Sequence, residues 1–283
     1  TASLAMARML KDRNKSIITS MGGFNVDFPM GVEFVENCQW IDYVFSGPSL
    51  VSFPQFVSYV KEKKFDLCND LPGVFSRNYL EKQNEDDNYG ERLDINADIE
   101  LDYDSYLASF ADYFSKFSIK PYLLYSTAEG CYWGDKHRCT FCAQGGPCGN
   151  KMKFRSMKPE NAIKVIESLQ KYHDKVSFLY STDNIISPDY PESVFAKVTS
   201  NIPIHLEMST FNLDKKTLTL LSESGVKVTE AGVESLHTKS LKLMRKGSSA
   251  SRNITFLMDC HLSDIYVVWN YLLGVPGEDE SIY

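Results

Sequence analysis

Tyr122-Leu-Leu-Tyr125 and, just after it, Gly130-Cys-Tyr-Trp-Gly-Asp-Lys-His-Arg-Cys-Thr-Phe-Cys142 set the architecture of this chain. The first is a short apolar run between polar residues, the pattern of a buried strand. The second carries three thiols, Cys131, Cys139 and Cys142, on the loop that leaves the strand's C-terminal end. α/β sheets and barrels keep their ligands at that end. Three thiolates this close in sequence can hold an iron–sulfur cluster with one iron left free to bind something else. The loop points to catalysis.

Cys148 follows closely and makes zinc the first rival, because Cys131, Cys139, Cys142 and Cys148 could close a tetrahedral four-thiolate site. Spacing alone leaves both open. Structural zinc loops usually stabilise small domains that lack a core, whereas this loop sits on a framework large enough to need no staple. The context favours a cluster, with Cys148 outside it.

Outward from the loop, residues 119–283 alternate strand and helix. Pro159 opens a helix with Ala162, Val165, Ile166 and Leu169 on one face. Val176–Tyr180 and Ile204–Met208 read as strands, and Asp214 as the N-cap of a helix stopped by Gly225. Val226–Ala231 is the next strand, and two short helices follow around Leu241 and Leu257. Tyr266–Leu273 is apolar on both faces except for Asn270, as a buried parallel strand requires. Repeated strand–helix–strand units predict a partial or full βα barrel.

Residues 1–78 also alternate, with an opening helix and short strands ending in Gly22-Gly23 and Ser46-Gly47. This predicts part of a doubly wound, Rossmann-like α/β domain. Residues 79–118 are rich in Asp and Glu with little apolar periodicity, and are expected to be an acidic, solvated connector. The chain starts at Thr1 inside a helix and stops at Tyr283 after a Pro-Gly turn, so portions of a longer protein are expected to be missing at both ends.

The 283 residues carry 43% hydrophobic and 24% charged residues, a globular composition. A net charge of −7 argues against nucleic-acid or anionic-membrane partners. No apolar run is long enough to cross a bilayer, and no targeting peptide opens the chain. Seven cysteines, three of them clustered, suit a reducing cytoplasm and a metal site better than a disulfide framework.

The Cys-x7-Cys-x2-Cys loop, with Phe141 before the last cysteine, resembles the radical S-adenosylmethionine (SAM) superfamily in a variant spacing. More closely, the run 130–142 is similar to cobalamin-domain radical SAM proteins that mature ribosomally made peptides. The likeness continues through Phe154-Arg-Ser156, Asp183-Asn-Ile-Ile186, Gly232-Val-Glu-Ser235 and Trp269-Asn-Tyr-Leu-Leu-Gly-Val-Pro-Gly-Glu278.

The resemblance implies that Cys131, Cys139 and Cys142 each ligate one iron of a 4Fe–4S cluster whose fourth iron chelates SAM. It places Phe141 near the adenine, and Asp183 and Asn184 at the methionine ammonium, where an Asx turn is the plainer alternative. Glu207, at the catalytic end of its strand, could accept from two ribose hydroxyls; Glu234 either touches SAM or anchors the next helix. Asn270 needs a backbone partner or SAM. Gly22, Gly23, Ser46 and Gly47 would let backbone approach cobalamin, or merely end strands. No Asp-x-His-x-x-Gly motif for a histidine ligand to cobalt occurs.

The implied function is cobalamin-dependent methylation of an unactivated carbon in a ribosomally synthesised precursor peptide. An electron donor such as a flavodoxin or ferredoxin is the other implied partner. The rivals are radical SAM peptide chemistry without cobalamin, such as epimerisation or cross-linking, and a zinc-stapled, non-enzymatic binding module.

Overall fold

The computed structural model describes residues 2–142 and 153–282. The chain forms two compact units, Thr1–Asp94 and Ile95–Tyr283. Among the described residues, no helix is long and apolar enough to cross a membrane.

The first unit runs α1 (Ala2–Arg13), β1 (Ser20–Gly22), α2 (Met30–Asn37), β2 (Tyr43–Phe45), α3 (Ser52–Lys61), α4 (Phe65–Cys68) and β3 (Val74–Ser76). β2 is central, parallel to β1 and antiparallel to β3. Strand alternation sends neighbouring side chains to opposite faces. Val44 and Phe75 pack with Val35 of α2, while Phe45 and Val74 pack with Phe56 of α3 and Cys68 of α4. Two apolar faces call for helices on both sides of the sheet, and the α/β expectation holds. The first strand is short, because Ile18 is exposed and pairing starts at Ser20.

The boundary between the units falls inside the stretch expected to be a connector, and both parts of that stretch are packed. On the first unit, the Lys82 ammonium donates to the carbonyls of Asn69 (2.5 Å) and Leu71 (3.0 Å). The Tyr89 hydroxyl donates to the Phe28 carbonyl at 3.1 Å, and the Gly90 N–H to that of Ser46 at 2.9 Å. On the second, Asn96 accepts from the Lys158 N–H at 2.8 Å, and residues 104–114 form a helix, α5 (Asp104–Phe114). Carboxylates coat the outside of these residues while a few apolar and aromatic side chains fasten them, so composition alone hides the packing.

The second unit continues with β4 (Tyr122–Tyr125), β5 (Ala128–Glu129), α6 (Tyr132–Lys136), β6 (Arg155–Ser156), α7 (Pro159–Ser168), β7 (Phe178–Ser181) and β8 (Ile204–Met208). Then come α8 (Lys215–Glu223), β9 (Val226–Ala231), α9 (Thr238–Leu243), α10 (Ala250–Leu262) and β10 (Tyr266–Val268). The main sheet has the order β10-β9-β8-β7-β4, with every pair parallel. Spatial order follows chain order, so the sheet winds one way as a barrel segment does, without the reversal of a doubly wound sheet.

Local signals explain the helices. Asp214 caps α8 by accepting from the Thr217 N–H at 2.8 Å. Gly225 ends that helix with φ +113°, and a Cβ there would press on Ser200. One face of the sheet, with Leu123, Leu179, Leu206 and Ala231, is buried in the core. The other carries Tyr122 and Leu124, which are exposed.

The C-terminal strand departs from expectation. β10 is three residues long and lies at the sheet edge, with Tyr266 and Val268 exposed. Asn270 is exposed as well and needs no buried partner. An edge strand has one neighbour and here one uncovered face, so apolar composition on both faces overstated its burial.

Gly90 offers a direct test of the packed connector, because a Cβ there would collide with the Pro48 carbonyl. Gly90→Ala is expected to cost the first unit about 1–3 kcal/mol. Limited proteolysis should show faster cleavage within residues 79–94, with the second unit as resistant as before.

Candidate active site

The cysteine loop leaves β4, and its neck is closed in three ways. β5 and β6 pair antiparallel across it, Ala128 opposite Ser156 and Glu129 opposite Arg155, with an Arg155–Glu129 ion pair at 2.9 Å. The Met157 N–H donates to the Thr127 carbonyl at 2.8 Å, and the Tyr190 hydroxyl reaches the carbonyls of Thr127 (3.1 Å) and Met157 (3.0 Å). The third fastening is Asp183.

Asp183 follows β7 and is 4% exposed. One oxygen accepts from the Ser126 hydroxyl (2.9 Å), the Thr127 N–H (2.7 Å) and the Ala128 N–H (2.8 Å), and the other from the Thr127 hydroxyl at 2.5 Å. A carboxylate offers about four acceptor sites, so these are filled by the loop's own base. Burial pushes its pKa above the usual carboxylate value, against the pull of those donors. The residue expected at the SAM ammonium thus also sets the path of the cysteine loop. Asn184 beside it is half-buried.

Cys131, Cys139 and Cys142 are all half-buried, unlike Cys38, Cys68 and Cys260, which lie in the cores. Cys131 caps α6, its sulfur accepting from the Gly134 N–H at 3.4 Å. Burial pushes the Cys139 thiol up, the Lys246 ammonium opposes this, and Cys142, Cys131 and Glu234 reinforce it. The other two thiols therefore lie within electrostatic reach of Cys139. Among the described residues no three Cys, His, Asp or Glu side chains close around a single ion. A cluster asks something else, one thiolate for each of three irons, and thiols spread over one loop suit it. Cys148 lies outside the described residues.

The loop docks on the segment after α9. The Thr140 N–H donates to the Met244 carbonyl at 3.0 Å and the Trp133 indole N–H to that of Arg245 at 3.2 Å. The Trp133 ring fills the space a Cβ on Gly247 would need. The His137 ring lies 4.1 Å from that of Trp133, tilted by 31°, and the residue is exposed.

This docking brings in Lys246, a residue that sequence reasoning missed. Its ammonium pairs with Glu234 at 2.8 Å, both side chains being mostly buried, and lies over the Phe141 ring at 5.5 Å. Nothing in a Lys-Gly pair after a short helix marks it out; only the docked loop does. Glu234 sits at φ +59° on the loop after β9. That loop is clamped by Asn253 of α10, whose amide donates to the carbonyls of Val233 (2.8 Å) and Ser235 (2.9 Å).

Glu207 of β8 and Glu230 of β9 are register partners on the sheet's open face. The Glu207 pKa is pushed up to about 7, by burial first, then by Glu230 and Asp183, with Lys246 opposing. Two residues deeper on the strand, His205 stacks on Tyr180 at 3.9 Å.

In the first unit the four expected cobalamin contacts divide. Gly23 has φ +99° with nothing within 4 Å of a Cβ position, and Gly22 is in ordinary contact with Phe45. Ser46 is buried, its hydroxyl accepting from the Phe28 N–H at 2.8 Å. Gly47 is covered by Tyr89 and Gly90, each 3.3 Å from a Cβ position.

Residues 125–282, more than half of the chain, match the sequence profile of the Radical SAM superfamily. The chain belongs to that superfamily, whose members use a 4Fe–4S cluster and SAM. It is 22% identical to an uncharacterized methyltransferase of Pyrococcus horikoshii over 286 aligned positions, 96% of this chain and 57% of that protein. It thus spans little more than half the length of that relative. In fold it is similar to the cobalamin-dependent SAM radical enzyme OxsB, solved with aqua-cobalamin and SAM (TM-score 0.67, 16% identity, 95% of this chain, 38% of that one). It is likewise similar to the radical SAM methyltransferase TsrM of Kitasatospora setae (TM-score 0.66, 14% identity, 99% of this chain, 54% of that one).

Two outcomes test this geometry. Asp183→Ala strands two buried backbone N–H groups and the buried Thr127 hydroxyl at the loop's neck, at about 1–3 kcal/mol for each donor left unpaired. Anaerobic reconstitution of that variant should bind clearly less iron and sulfide per chain than wild type. For Glu207, the folded pKa lies above the ordinary 4.5, so its contribution to stability is complete below about 4.5 and lost as pH rises through about 7. Urea midpoints should fall between about pH 5 and pH 8 in the wild type and fall less in Glu207→Gln.

Proposed function

We propose that this chain carries the core of a cobalamin-dependent radical SAM methyltransferase that modifies an unactivated carbon in a ribosomally made peptide. The observation that carries the reading is the three-thiol loop, closed at its neck and docked beside Lys246 at the catalytic end of a one-way parallel sheet. The likeness in fold to OxsB and TsrM runs over both units and supports the cobalamin part.

When bound, the cluster and SAM would supply a carbon-centred radical that removes a substrate hydrogen, and cobalamin would supply the methyl group. The chain's own residues do the positioning. Cys131, Cys139 and Cys142 would hold three irons. Asn184, half-buried and beside the loop's neck, suits the methionine end of SAM, and Phe141 suits its adenine. Lys246, held by Glu234, sets a positive charge beside the thiolates and lowers the cost of gathering them. Gly22 and Gly23 would admit cobalamin to the backbone, since the space at Gly23 is open. An external electron donor, a flavodoxin or ferredoxin, would complete the system.

The covering of Gly47 by Tyr89 and Gly90 favours a second reading, peptide chemistry without cobalamin, such as epimerisation or cross-linking. Product stoichiometry separates the two. Methylation should release S-adenosylhomocysteine as well as 5′-deoxyadenosine, whereas epimerisation should release only the latter. Cys139→Ala should reduce SAM cleavage to background in protein that stays folded by circular dichroism. Wild-type-like 5′-deoxyadenosine formation in that variant would refute the cluster assignment.

A further inference from the structure

The open face of the second unit's sheet is graded in chemistry from its depth to its mouth. Register partners align Leu124, Tyr180, His205, Val228 and Tyr266 in one row across all five strands. The next row toward the catalytic end sets Glu207 directly beside Glu230. Like charges placed opposite each other on neighbouring strands repel, so this pairing is costly unless something answers it. Among the described residues neither carboxylate makes a hydrogen bond or ion pair through its side chain. The nearby charges are already committed, Asp183 to the base of the cysteine loop and Lys246 to Glu234.

His205 is an independent sign of a missing partner. It is 5% exposed, and its Nδ1 is shut from water without a hydrogen bond. It lies on the face that carries both carboxylates, and Glu230 acts on it electrostatically. Its ring and that of Tyr180 are parallel to within 8°, and Tyr122 extends the aromatic wall at 5.6 Å from Tyr180. A metal ion would require side chains drawn to one point, and among the described residues no three are. Paired carboxylates above an aromatic floor suit a diffuse organic cation, through charge-assisted hydrogen bonds and contact with ring faces.

We infer that Glu207, Glu230, His205 and Tyr180 line the site for the substrate's side chain, and that this site takes an organic cation, an amine or guanidinium. The inference rests on the proposed peptide substrate and narrows it to a basic residue. It also assigns Glu207 to the substrate, not to the ribose of SAM.

The test is a calorimetric titration of the reconstituted full chain, near pH 8, with Nα-acetyl-arginine amide and its neutral isostere Nα-acetyl-citrulline amide. The arginine probe should bind at least about tenfold more tightly, roughly 1.4 kcal/mol. Glu230→Gln, checked for folding by circular dichroism, should lose most of that preference. The wild-type comparison needs no variant. Equal affinities, no binding of either probe, or displacement of the arginine probe by SAM would each overturn the inference, the last by giving the pair to the cofactor. Turnover is not read. A protein that prefers the arginine probe yet cleaves no SAM therefore sinks the enzymatic reading and leaves an organic-cation site without its role as a substrate pocket.

Discussion

A single carboxylate, that of Asp183, fastens the end of β7 to the base of the cysteine loop. Four donors from Ser126, Thr127 and Ala128 converge on it in a setting almost closed to water. Hydrogen bonds to a charged group contribute about 1.5–3 kcal/mol each, but among the described residues the anion has no cation beside it and its burial opposes them. The balance favours a fixed geometry over large stability. Without it the chain leaving β4 would rely on the short β5–β6 ladder, the tyrosine contacts and the docking on the segment after α9 to direct its thiols. Cluster ligation depends on where three sulfurs stand, so loop placement comes first.

Charge at the catalytic end follows a similar economy. Lys246 is a cation that meets the docked loop, and Glu234 holds it where it acts on Cys139 and on Glu207 together. Its pairing with Glu234 leaves the two interior carboxylates unanswered. A positive rim beside the thiolates and a negative interior below it divide the open face into regions with different demands. A cofactor bearing both charges and a cationic side chain would compete for neither.

Much of this was legible in the sequence where local chemistry decides local structure. β8 and β9 fall where their β-branched and apolar runs end, and Asp214 caps its helix as its type and position require. The cysteine spacing pointed to the loop, and the loop to the catalytic end. What escaped depends on partners distant in sequence. Asp183 was legible as an acid after a strand, but not as the acceptor for residues more than fifty positions earlier. Lys246 became visible only once the loop had docked. α5 carried a signal that its acidic surroundings obscured, since Tyr106, Phe110 and Phe114 recur every four residues and their rings follow one another along the helix.

The glycines of the first unit show why residue type alone cannot assign a ligand contact. Gly73 and Gly90 lack room for a Cβ and Gly47 leaves little, and what crowds them is the chain itself: Gly90 and Tyr89 lie close to Gly47, Gly90 and the Ser46 carbonyl press on Gly73, and Pro48 on Gly90. They are glycines because three backbone segments cross there. Gly23 is the contrary case, with the same left-handed freedom and empty space where a side chain would stand. A glycine hemmed in by its own fold is explained by packing, whereas one that faces open space is not. Gly23, with Gly22 before it, therefore carries the argument for a ligand at the strand end, and Ser46 and Gly47 do not add to it.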